Sequence, residues 1–235
     1  MLYPTIAEAA HRVGARAVAL IDVGCSAALN LIVDRVGVSY GNGQSLGDPS
    51  SPVRTSARIV GERALPSRSI PAVTARIGVD RDPVDVTSLE DVSTLRASLE
   101  PDRADDPQLE AALAIAQAHP PQLISGDLVD SLPEALARVP AGALPVVITA
   151  WTLSGLSREK RLRFLHRLDE AATHRPVAWV SAEGVGVAPA IPTMGDRHAS
   201  GHSILGLAIF DHSTLRTEAV GRCWSQGRIL SWLAA

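Results

Sequence analysis

The turn Asp22-Val23-Gly24-Cys25-Ser26-Ala27-Ala28 is the first place in the chain where residue types and spacing could do chemistry. It follows the apolar run Ala17–Val23 and precedes Leu29, Ile32, Val33 and Val36, which have the spacing of one buried helix face. In an open parallel sheet, ligands bind beyond the carboxyl ends of the strands, beside such a first strand–helix turn. Small residues let a ligand approach the main chain, and the helix start presents free N–H groups. The same small residues also serve tight strand–helix packing, so Gly24 is open to both readings. Asp22 places a carboxylate at the mouth of that turn, or bonds backbone amides. A nicotinamide fingerprint would need glycines at positions 24, 26 and 29, and only Gly24 is there, which argues against NAD.

Three further groups carry chemical potential. Asp80 ends the apolar run Ile77-Gly78-Val79, and Asp127 follows Gly126 after another short strand. Glu183 lies just past Val177–Ser181, and His198 and His202 lie on a Gly- and Ser-containing stretch. Either histidine could serve as a general base, or both are solvated loop residues. Their spacing suits zinc only on a helix, which Ser200 and Gly201 oppose, so no metal is expected. Cys25 at a helix start could be a reactive thiolate, or a small packing residue. Gly24-Cys25-Ser26-Ala27-Ala28 also approaches the nucleophile elbow of serine hydrolases, with Ser26 as nucleophile. Too little chain precedes Ser26 to supply the oxyanion loop such an enzyme needs, which makes this the weaker reading.

The elements that must position these groups alternate along the chain. Strands are expected at Ala17–Val23, up to Asp80, at Gln122–Ser125, Leu144–Thr149 and Val177–Ser181, with helices between them. Thr87–Glu90 reads as a capping box, Asp106-Pro107 as a helix start, Ser131–Glu134 as the cap of a short helix and Ser157 as the cap of the longest one. Ser203–Phe210 and Thr217–Cys223 are too close for a crossover and should pair antiparallel. The expected fold is therefore α/β: a three-layer α/β/α sandwich, Rossmann-like, with a mostly parallel sheet and an antiparallel C-terminal hairpin. Residues 37–76 are rich in Gly, Pro and Ser, and their two alternating stretches, Val36–Tyr40 and Val53–Val60, read as a β-hairpin inserted near the pocket. A single domain over residues 1–235 is expected.

Asp22-x-Gly24-x-Ser26-x-Ala28, Gly78-Val79-Asp80-Arg81-Asp82-Pro83 and Gly126-Asp127-Leu128, in that order, resemble the three cofactor motifs of class I S-adenosylmethionine-dependent methyltransferases. More narrowly, VGCSAALNLIVDR, GDPSSPVR, GVDRDPVDVT, SGDLVDSLP, RPVAWVSAEG and the Trp224…Trp232 tail resemble an uncharacterised bacterial family, classed as a domain of unknown function with a methyltransferase-like fold. The resemblance implies S-adenosylmethionine as cofactor. The amides near Gly24, Cys25 and Ser26 would face its methionine end, with Asp22 orienting the loop. Asp80, flanked by Arg81, would hold the ribose hydroxyls, and Asp127 with Leu128 the adenine, with Thr149 at the end of the fourth strand nearby. Asn30 also matches the family, without an assigned role. Two departures stand out. Ala28 replaces a glycine, and its methyl would narrow the cleft; and only about sixteen residues precede the first strand, where the family has a helical region. A second copy covering the surface left bare would make a homodimer.

No carboxylate, histidine or Asn-Pro-Pro-Tyr element ends the fourth strand, Ile148-Thr149-Ala150-Trp151-Thr152, so the catalytic base is unassigned beyond Glu183, His198 and His202. The expected function is thus methyl transfer to a small-molecule substrate, with a non-catalytic adenosyl-binding or scaffold module as the alternative. Net charge is −3, with 22 basic and 25 acidic residues, and aromatics make up 3% of the chain, which argues against nucleic acid or an anionic membrane as partner. Two cysteines and no apolar run of spanning length point to a reduced, cytoplasmic protein.

Overall fold

A computed structural model describes residues 1–234, the side chain of Arg103 excepted. The chain opens on an α-helix, α1 (Leu2–Val13), whose Leu2, Tyr3, Ile6, Ala7, Ala9 and Ala10 are buried. Its one buried charge, Glu8, is paired with Arg12 at 2.8 Å and with Arg68. The helix ends at Gly14, whose φ of 68° supplies the left-handed C-cap. The first parallel strand is β1 (Ala17–Val23).

Beyond the bend, the stretch with helical apolar spacing forms only a seven-residue 3-10 helix, Leu29–Arg35, rather than the α-helix its periodicity predicts. Ala28 precedes it at φ 55°, and the chain then leaves directly into β2 (Gly37–Tyr40). β2 turns back antiparallel into β3 (Ser45–Gly47) and pairs in parallel with β4 (Arg54–Ile59). The two alternating stretches of the insert do meet, but as parallel neighbours; the hairpin is the shorter one between β2 and β3. The thirteen residues between β2 and β4 give the chain room to return to the same end, which a tight turn could not.

β5 (Ala72–Asp80) follows, then α2 (Leu89–Ala97), the short α3 (Pro101–Ala104), α4 (Pro107–Ala118), β6 (Gln122–Ser125), α5 (Leu132–Ala137), β7 (Leu144–Ala150), α6 (Arg158–Ala171), β8 (Val177–Gly184), β9 (Ser203–Asp211), β10 (Thr214–Trp224) and β11 (Ile229–Trp232). The caps on α4 and α6 are those the sequence predicts, with Asp106 accepting from the Gln108 amide and Ser157 from the Lys160 amide. On α2 the cap lies one residue later than expected and is not a full box, the Ser88 amide donating to the Asp85 carbonyl instead. Ser88 is the N-cap and accepts from Asp91, while Thr87 donates to Asp85 instead.

One mixed sheet runs in the order β3-β2-β4-β11-β10-β9-β8-β7-β1-β5-β6. β6, β5, β1, β7 and β8 are parallel, and β8, β9, β10 and β11 follow as an antiparallel meander. Alternate residues of β1 go to opposite faces: Val18 and Leu20 pack with Ile6 and Ala10 of α1, while Ala19, Ile21 and Val23 pack with Leu132 of α5 and Phe164 and Leu168 of α6. β11 meets β4 only at Ile229↔Arg58 and Leu230↔Ile59, so the rest of β4, carrying β2 and β3, runs past the end of β11. That overhang stands at the same edge as the carboxyl ends of the parallel strands. No helix among the described residues is long and apolar enough to cross a membrane.

Candidate functional site

The bend after β1 is held by its own chain. The amides of Gly24 and Cys25 donate to the Val79 carbonyl at 2.8 and 3.3 Å, and Ala28 donates to the Cys25 carbonyl at 2.7 Å. The Ser26 amide donates to Asp80 Oδ2 at 2.8 Å, and the Asp82 amide reaches Oδ1 at 3.3 Å. The amides expected to face a methionine tail are therefore spent locally, and Asp80 spends part of its acceptor capacity on fixing the bend. The seven-residue 3-10 helix that follows does not supply the anion-binding start of a long helix.

Gly24 is explained by packing. A Cβ there would lie 2.5 Å from the Thr152 methyl, at a backbone φ of 75° that disfavours any side chain. Thr152 covers the glycine and donates its hydroxyl to the Val23 carbonyl at 3.0 Å. Gly24→Ala is accordingly expected to cost about 2 kcal/mol, with part of the loss recovered when Thr152→Ser is added. Urea unfolding of the single and double variants measures this, and an unchanged midpoint for Gly24→Ala would refute the tight contact.

Cys25 is buried against Gly78, where a Cβ would lie 2.8 Å from its sulfur. Burial, reinforced by Asp22 and Asp80, pushes its thiol pKa up, the opposite of an activated thiolate. The Ala28 methyl is buried in the core with Leu31 and Leu20, so it does not narrow a cleft; its φ of 55° is the conformation that glycine adopts most readily. Asp22 is 1% exposed and accepts from Asn30 Nδ2 at 3.2 and 3.4 Å, which gives Asn30 its role. Burial, opposed by the Asn30 bond and aided by the Asp80 charge, raises the Asp22 pKa to about 7.

The remaining expected site residues are dispersed. Asp127 forms an ion pair with Lys160, the chain's single lysine, at 2.6 Å and accepts from the Val129 amide at 3.0 Å. The bond from Lys160 is the main cause of a pKa lowered to about 2. That carboxylate fastens α6 to the turn before α5. Leu128 packs against the core, and Arg81 is exposed, its carbonyl accepting from Ser125 Oγ. Thr149 is buried and accepts from Trp179 Nε1 at 3.0 Å.

Glu183 is fully buried, its Oε1 accepting from the Thr152 and Leu153 amides at 3.1 Å each. Its Oε2 has no hydrogen-bond partner among the described residues, although the nearby Thr149 hydroxyl eases the charge. Burial nonetheless raises its pKa. His202 is bonded at both ring nitrogens, to Asp196 at 2.9 Å and to the Ser200 carbonyl at 3.4 Å, beneath the Trp224 ring. Asp196 in turn receives Arg222 Nε at 2.6 Å. His198 is exposed beside Gly186. Among the described residues no hydrogen bond joins either histidine to Ser26 or Glu183, and no group of three metal-ligating side chains exists. Ser26, at φ 48°, has the strained backbone of an elbow but no histidine on its hydroxyl among the described residues.

Space for a ligand lies elsewhere at the same edge. An open cleft of ≈ 650 Å³ is lined by α1, the 3-10 helix, β2, β4 and the β10–β11 turn, with Leu29, Val33, Val36 and Val38 among its apolar lining. A second, of ≈ 590 Å³, runs from Cys25 and Ser26 to Leu95, Leu109 and Ala112 under α4. The two share Leu29, Asn30 and Arg228 as a common wall. Asp80, Asp127 and Thr149 line neither. The wall residues Arg58 and Arg228 carry no signal in the sequence, because two arginines far apart in the chain each look like solvated surface.

The frame is thus that of an α/β protein with a cleft at the edge where its parallel strands end, bounded by an inserted subsheet. The chain belongs to a bacterial family described as "Uncharacterized protein conserved in bacteria (DUF2332)", whose profile matches residues 1–232. No curated protein matches it.

Proposed function

We propose that this chain is a small-molecule-binding module on a methyltransferase-like α/β frame, holding its ligand in the cleft between the bend and the insert without transferring a methyl group. The observation that carries this reading is the pair of adjoining cavities sharing Leu29, Asn30 and Arg228. Their sizes fall within the usual range for small-ligand sites. The groups expected to grip S-adenosylmethionine fit it poorly as arranged. Thr152 covers Gly24, the Ser26 amide is bonded to Asp80, and Lys160 holds Asp127. The three-layer sandwich and cytoplasmic setting expected from the sequence remain part of this reading.

The neutral fluorophore N-phenyl-1-naphthylamine tests it. Its emission should rise on binding to the folded chain, and Thr55→Trp, an exposed β4 substitution on the cavity wall, should abolish the rise without shifting the unfolding midpoint. Binding that survives Thr55→Trp, or no binding at all, overturns the reading. Methyl transfer is kept as a second reading because Asp80 ends β5 beside the bend with acceptor capacity left on both oxygens. Calorimetry with S-adenosylmethionine and its demethylated product discriminates: tight binding lost in Asp80→Asn favours that reading, and no heat with either ligand removes it.

A further inference from the structure

We propose that the larger cavity takes an amphipathic carboxylate, its apolar body against Leu29, Val33, Val36 and Val38 and its charge held by Arg58 and Arg228. The inference rests on the cleft reading above and names the ligand class. Arg58 and Arg228 line the same cavity and are neighbours across the β4–β11 junction, where the Arg58 amide donates to the Arg228 carbonyl at 2.7 Å. Both residues are exposed, and among the described residues neither guanidinium is hydrogen-bonded or ion-paired to a carboxylate.

Two arginines that line one cavity and have no carboxylate partner among the described residues offer forked donors that a planar anion can meet. Among the described residues the only carboxylate lining the joined space is Asp106, in the second cavity beyond the shared wall, where it caps α4. The side chains of the larger cavity are otherwise uncharged, with the four apolar residues beside Asn30, Thr55, Ser56 and Gln226, which suits a ligand with an apolar body and one anionic end. The turn that presents Arg228 is strained: Ser225, Gln226 and Gly227 have φ of 50°, 57° and 88° in succession. Consecutive left-handed residues persist where the surroundings fix them, as ligand clamps do.

Displacement of N-phenyl-1-naphthylamine from the whole chain by decanoate and by the neutral decanol tests the inference. Decanoate should displace the fluorophore at a concentration lower by about tenfold or more, and Arg58→Gln with Arg228→Gln should bring the two within about threefold. Equal displacement in the wild-type chain overturns the carboxylate assignment and leaves the cleft reading intact. A preference that survives the double substitution overturns the role of the arginines. Failure of the fluorophore itself to bind overturns the cleft reading and this inference with it.

Discussion

Asp22→Asn is expected to make the folded chain more stable at about pH 8, by about 2–4 kcal/mol, with the advantage vanishing towards pH 4. The carboxyl is 1% exposed, and its partner, Asn30, offers a neutral amide rather than a cation. In the folded chain its pKa is raised to about 7, whereas its ordinary value is 3.8. The sign follows from that order. Below the ordinary value both states hold the proton and burial carries no ionic penalty. As pH rises from there towards the folded pKa, the unfolded chain releases the proton freely and the folded chain cannot, so stability falls; above it the loss is complete. Asparagine keeps an oxygen to accept from Asn30 and has no charge to bury. Urea unfolding of both proteins across this range measures the effect, and a difference independent of pH would refute the buried-carboxyl account.

The strands that bury both faces were readable because they are continuous apolar runs of β-branched residues. Ala17–Val23 agrees to the residue, and Leu144–Thr149 and Val177–Ser181 lie inside strands that run one and three residues further. The antiparallel return of the last long strands followed from the shortness of their connection. What failed depended on distant partners. Leu29, Ile32, Val33 and Val36 have the helical period, yet β2 must leave at Gly37 to join β4, and only a 3-10 turn fits. Helix α1 shows no charged first turn or side-chain cap to announce it, and its stability comes from the core beneath.

At the site, sequence located the bend and its acidic neighbours but not the bonds they make within the chain. Asp80 ends a strand and Asp127 follows one, and so both read as ligand groups. Their partners within the chain, the Ser26 amide and Lys160, are 54 and 33 residues away, and no local pattern encodes those contacts. The arginines of the cleft are subject to the same limit, since Arg58 and Arg228 become neighbours only when β11 adds to the edge of β4.

The largest single loss is expected at Glu183. Its Oε1 accepts from the Thr152 and Leu153 amides, where β7 has just ended and Trp151 has taken a φ of 56°. That anchored turn brings Thr152 over Gly24 and its hydroxyl onto the Val23 carbonyl, so one carboxylate ties the ends of β8, β7 and β1 together. Glu183→Ala removes the acceptor of two N–H groups that are buried or nearly so and leaves a void among fully buried neighbours, a loss of about 3–5 kcal/mol. Glu183→Gln retains an oxygen for both amides and discards a charge that burial disfavours, so it should stay within about 1 kcal/mol of the wild type. A general base would show the reverse signature, with both variants equally inactive and neither unstable. Because the Glu183 pKa is raised, the glutamine variant should also gain on the wild type as pH rises through the titration of the buried carboxyl. Unfolding midpoints of the two variants decide the matter: equal damage by alanine and glutamine, or none by alanine, removes Glu183 as the anchor of the bend.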